Sequence, residues 1–187
     1  MKKRFLAVLP GLMLISLPAM AHIDLITPKP LMSGHGLHDT ALKAAPFGAP
    51  GVDAASAKPT VVKAGSTIDL RLKVYKVHPG EIVVSYTRDM EGEDVFPVYD
   101  IASLKTPIPH KNVLLQASAP CSPTVGCTSA ASDAPEFHAQ VKLPDIEGDI
   151  ILVVRQVMRD KVHVAADGSA DLSEAYYHQA AKLRLVR

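Results

Sequence analysis

The first histidine of the mature chain, His22, sets the chemistry open to it. It follows a basic start (Lys2, Lys3, Arg4), an apolar run at 5–17 and Pro18-Ala19-Met20-Ala21. A short basic head, an apolar stretch too short to span a bilayer comfortably and an A-x-A end have the form of a secretory signal peptide. The expected organisation is therefore a signal peptide, 1–21, and one mature domain, 22–187. Cleavage after Ala21 makes His22 an N-terminal residue, which offers a free α-amine and an imidazole together. A second histidine from the fold would offer a third nitrogen. Amine and imidazole nitrogens in a tetragonal arrangement suit a single Cu(II) ion. The amine titrates near 8, so metal must displace its proton and affinity should fall on acidification.

Something must hold these groups together, and the hydropathy pattern points to strands. Ile68, Leu70, Leu72 and Val74 alternate with Asp69, Arg71 and Lys73 in a strand expected at 67–77. His78-Pro79-Gly80 is a turn, and a second strand is expected at 81–87, with Ile82, Val84 and Tyr86 on one face. Further strands are expected at 137–143, at 149–158 as a buried run, and at 176–186. Residues 22–60, rich in Pro and Gly, and the stretch 92–135 read as irregular. No segment after 21 has a helical period. Short strands between long Pro/Gly loops indicate an all-β, immunoglobulin- or fibronectin-like β-sandwich with long loops.

Composition narrows the function classes. A net charge of +1 argues against nucleic-acid binding, and no second long apolar run anchors the mature chain in a membrane. Cys121 and Cys127 are expected to form one local disulfide in an exported protein. No phosphate-binding glycine loop, nucleophile elbow or close Cys/His pair is present, so nucleotide and hydrolase chemistry have no support.

Three segments read as parts of one site. They are His22-Ile-Asp-Leu-Ile-Thr-Pro-Lys-Pro with the later Pro46-Phe47-Gly48, then Val77-His78-Pro79-Gly80, then Tyr176-Tyr177-His178-Gln179-Ala180-Ala181. In these places the chain resembles the lytic polysaccharide monooxygenases and their histidine-brace copper relatives. The resemblance implies that His22 and His78 are the metal ligands and that a tyrosine of the last strand is axial. Tyr177 shares strand parity with Leu183 and Leu185 and takes that role; an intervening bulge would transfer it to Tyr176. Phe47 and Ala180 (or Gln179) stand where the family pattern has cysteines.

The resemblance implies one mononuclear copper, an electron donor, an insoluble polysaccharide as substrate and a monomer exported to the periplasm or beyond. The alternative is a periplasmic copper-binding or copper-delivery protein built on the same brace, and a third class is a metal-free adhesion sandwich. The other polar residues receive blander readings. His35 and His38 are expected to be solvated loop residues. His163 is a candidate for orienting bound oxygen. Gln156 is expected to point outward from its strand, with a polar role behind the metal as the alternative. His178, His110 and His138 are expected at the surface.

Overall fold

The computed structural model describes residues 23–32, 40–48, 51–76, 78–91, 112–118, 136–168, 170–171 and 175–187. They form ten strands: β1 (Ile23–Thr27), β2 (Thr60–Lys63), β3 (Thr67–Val74), β4 (Gly80–Thr87), β5 (Val113–Ser118), β6 (Glu136–Lys142), β7 (Gly148–Met158), β8 (His163–Val164), β9 (Ala170–Asp171) and β10 (Tyr176–Val186). One sheet has the order β1-β3-β6 and a second β2-β10-β7-β4-β5, while β8 and β9 make a small ribbon. Two 3-10 turns, Thr40–Lys43 and Arg159–Lys161, are the helical elements described. No helix among the described residues is long and apolar enough to cross a membrane.

The expected β-sandwich is the architecture found. Leu70, Leu72 and Val74 of β3 and Val141 of β6 face Ile82 and Val84 of β4, Ile150, Leu152 and Val154 of β7, and Leu183 and Leu185 of β10 in one core. Each aliphatic side chain buried there contributes roughly 1.5–3 kcal/mol of apolar transfer.

The larger sheet is covered on its other side as well. Phe47 and Ala54, from the segment expected to be irregular, pack on Ile151, Val153 and Ala180. Burial on both faces explains why Ile150 to Met158 are buried without alternation. Leu31 N–H donates to the Ala180 carbonyl at 2.7 Å, and the buried Lys182 ammonium donates to the Ala55 carbonyl at 2.5 Å. These contacts fasten the N-terminal segment across the sheet.

Two expectations need correction. The stretch 22–60 contains β1, which pairs with β3 through Ile23↔Val74, Asp24↔Lys73 and Leu25↔Leu72. The stretch 92–135 contains β5, an edge strand paired with β4. Both are short and lack the long alternation that marks β3.

Candidate metal centre

The elements that carry the candidate residues end together. β3 stops at Val74, the chain turns, and β4 starts at Gly80 opposite Met158, the last residue of β7. β10 starts beside the same end of β7, with Tyr176↔Val157 and Tyr177↔Gln156. Ile23, the residue after His22, pairs with Val74 at the end of β3. Strand register thus brings the start of β1, the β3–β4 turn, the end of β7 and the start of β10 to one end of the sandwich.

Gly80 allows the turn to close. Its φ is +153°, and a Cβ there would lie 1.9 Å from the Val157 carbonyl oxygen. The backbone amide of Arg159 donates to the Pro79 carbonyl at 2.8 Å, which fixes the turn against the segment after β7.

His78 is only 5% exposed. Its Nδ1 lies 2.9 and 3.1 Å from the two carboxylate oxygens of Asp160. Burial lowers its pKa, and the hydrogen bond and charge of Asp160 act in the opposite sense. In the neutral ring a carboxylate can only accept, so the proton belongs on Nδ1 and the lone pair on Nε2. Asp160 was not singled out from the sequence. Its partner is 82 residues away, and no local spacing advertises the pair.

Tyr177 faces the core between the sheets and is 2% exposed, in one cluster with Leu183 and Leu185. Burial raises its phenol pKa to about 12, so it stays protonated at ordinary pH. The ammonium of Lys43 stands 5.5 Å from the centre of its ring. Gln156, beside Tyr177 in register, is fully buried, and its Nε2 donates to the Lys76 carbonyl at 2.8 Å. This corrects the expected outward orientation. Gln156 shares the inward parity of Val154 and Met158, and in a strand buried on both faces hydropathy gives no cue to direction.

His178 also needs correction. It points away from Tyr177, to the other face of the sheet, yet is 4% exposed because that face is covered. It pairs with Arg155 in register, and its ring lies 5.9 Å from that of Tyr176. Burial first, then the Arg155 charge, lowers its pKa to about 3. Arg155, itself buried, lies over the Tyr176 ring at 5.8 Å and reaches Ser85 Oγ at 3.4 Å.

His163 is exposed in β8, and the exposed His138 contacts Glu136 at 3.0 Å. His22, His35, His38, His110, Cys121 and Cys127 lie outside the described residues. Among the described residues no group of three or more His, Cys, Asp or Glu could hold a metal ion. The expected brace needs two side chains and an amine, and one of those residues is His22. Phe47 and Ala180, at the positions where the family pattern has cysteines, belong to one apolar cluster.

No family model matches the chain, and no curated protein matches it. Among solved structures it is similar to a cellulose-active lytic polysaccharide monooxygenase in complex with copper. That match has 16% identity and a TM-score of 0.41, over 75% of this chain and 61% of the other. It is similar to a lytic polysaccharide monooxygenase of Thermobia domestica, at 15% identity and a TM-score of 0.36, over 67% of this chain and 62% of that one. A chitin binding domain from Burkholderia pseudomallei aligns at 13% identity and a TM-score of 0.46, over 88% of this chain and 99% of that one. The chain spans less than two thirds of the length of the two monooxygenases.

Proposed function

We propose that the chain is an exported, monomeric copper protein that cleaves a polysaccharide oxidatively. In this reading the α-amine and imidazole of His22 and the imidazole of His78 would hold one copper ion, with Tyr177 beside the site. The observation that carries the reading is the meeting of Ile23, the His78 turn and the Tyr176-Tyr177 strand start at one end of the sandwich. The donor set fits copper: a neutral imidazole with its lone pair on Nε2, and an amine and imidazole supplied by one N-terminal residue.

Copper bound there would supply one-electron chemistry from an external electron donor. The chain's own residues hold and shape the site. Asp160 fixes the ring and tautomer of His78 through Nδ1. Tyr177, protonated and buried, would line the site without adding a charge. Gln156 ties the end of β7 to the turn through the Lys76 carbonyl.

The test is incubation of copper-loaded protein with an insoluble glycan, a reductant and oxygen or peroxide, with mass spectrometry of the soluble products. Oxidised oligosaccharides are expected, and Tyr177→Phe should keep copper but alter the rate. A second reading, copper delivery, is favoured by the 5% exposure of His78. It predicts no oxidised product, and transfer of copper to an apo acceptor faster than free dissociation allows.

A further inference from the structure

The end of the sandwich that carries His78 is also where three lysines gather. Lys43 closes the Thr40–Lys43 turn, with its ammonium over the Tyr177 ring. Lys76 is exposed in the β3–β4 turn, and its carbonyl accepts from Gln156. Lys161 follows Asp160 in the Arg159–Lys161 turn. Each is tied by a direct contact, or by one residue of chain, to His78, Tyr177 or Gln156.

Three acidic side chains among the described residues lie near this end and its lysine rim. Glu81 is engaged by Arg159 at 2.9 Å, and Asp160 by His78. Asp24 lies opposite Lys73 in the β1–β3 register. Among the described residues, Lys76 and Lys161 make no ion pair with any of the three. The rim also runs against the balance of the chain. Lys2, Lys3 and Arg4 are three of its 20 basic residues, so residues 22–187 carry 17 against 19 acidic ones.

Neutral glycan chains are commonly gripped by flat aromatic rings, whose faces are apolar and whose rims are wet. The chain has no Trp. Tyr75, Tyr176 and Tyr177 are buried, and the exposed large hydrophobic residues among those described are Val61, Val164 and Val186. Among the described residues, what this end offers a polymer is ammonium groups rather than ring faces.

We propose that Lys43, Lys76 and Lys161 form a docking rim for an acidic polysaccharide, a polymer of uronate sugars whose carboxylates meet the ammonium groups beside the His78 turn. The proposal rests on the polysaccharide reading given above and names the substrate class for that site. Lys43, held against Tyr177, sits at the inner margin of the rim. Lys76 is exposed in the turn that carries His78 and Lys161 is half-buried in the turn after β7, where successive carboxylates of a chain could engage both.

The test is binding of metal-free protein to polygalacturonate, with chitin and cellulose as neutral controls and polyglutamate as a polyanion without sugars. Binding to polygalacturonate should exceed that to the neutral glycans. Because the contacts are exposed charges, it should weaken about tenfold or more when salt rises from low to several tenths molar. Lys76→Gln/Lys161→Gln should lose about tenfold in affinity, since rim charges are screened but additive, whereas Lys76→Arg/Lys161→Arg retains binding. Both positions lie on turns, Lys76 exposed and Lys161 half-buried, and circular dichroism of the variants should match the parent. Equal binding to neutral glycans, salt-independent binding or an unaffected glutamine pair would overturn the proposal. Equal binding to polyglutamate would overturn the sugar assignment. Copper titration of the same variants separates this proposal from the brace: unchanged copper affinity with lost polymer binding isolates the rim, and lost copper with intact polymer binding isolates the metal site.

Discussion

The imidazole of His78 faces both oxygens of the Asp160 carboxylate, at 2.9 and 3.1 Å, across 82 residues of chain. The pair joins the turn between β3 and β4 to the turn after β7. In the neutral ring it also holds the proton on Nδ1 and leaves the lone pair on Nε2.

Asp160→Ala should leave the fold intact, because the Asp160 side chain is 39% exposed and packs in no core. Loss of the partner frees the His78 ring to rotate and to exchange tautomers. Copper affinity should fall about 10–100-fold, the usual cost of removing a carboxylate that orients a metal-bound imidazole. Nitrogen chemical shifts of the metal-free protein give an independent readout. The parent should show the proton on Nδ1 of His78, and the variant a mixture. Identical tautomers and affinities in the two proteins would remove Asp160 from the site.

Gly80 and Gly51 make a matched pair for backbone strain. At Gly80 a Cβ would meet the Val157 carbonyl oxygen at 1.9 Å, whereas at Gly51, with φ +76°, nothing lies within 4 Å. Gly51→Ala should therefore cost about 1 kcal/mol, the left-handed backbone penalty alone. Gly80→Ala should cost about 2–4 kcal/mol, because β4 must move away from β7 at the end that carries His78. Denaturant unfolding of the two variants measures the difference, and equal costs would contradict the close approach.

His178 should make the fold acid-sensitive. Its pKa is lowered from 6.5 to about 3 by burial and by Arg155. Below the unfolded-state value the unfolded chain takes up a proton that the native ring refuses. Stability is thus complete above about pH 6.5 and declines as pH falls, by up to about 1.4 kcal/mol per pH unit from this group. His178→Leu removes the titrating ring. The stability gap between parent and variant should shift steadily in favour of the variant from neutral pH to about pH 4. A gap that does not change with pH would show that His178 does not titrate differently in the two states.

Much of the fold was legible from period-2 alternation and turn residues. Ile68, Leu70, Leu72 and Val74 announce β3, the glycine of His78-Pro79-Gly80 marks the start of β4, and the apolar run before Met158 announces β7. β1 is not legible because five residues followed by Pro28 and Pro30 carry too short a pattern. β5 escaped because an edge strand buries little, and its alternation is shallow. In the candidate site, His78 and the two tyrosines stand out through the motifs that resemble the histidine-brace copper proteins. Asp160 does not, since its partner is found only by folding. Gln156 and His178 were misjudged for one shared reason: the larger sheet is covered on both faces, so polarity alone does not reveal which side chains reach water.

The central claim is that His22 supplies its own α-amine to a copper ion shared with His78. The direct measurement is copper titration, followed by electron spin resonance, of two proteins that differ only at the start: one beginning at His22 and one carrying a single alanine before it. The extra residue converts the amine to an amide and removes one nitrogen donor while leaving both imidazoles in place. The account predicts one tightly bound Cu(II) with a three-nitrogen tetragonal spectrum in the first protein. In the second it predicts an affinity at least about a hundredfold weaker, because a ligand nitrogen is lost outright. Equal affinity and an identical spectrum in the extended protein would contradict the account.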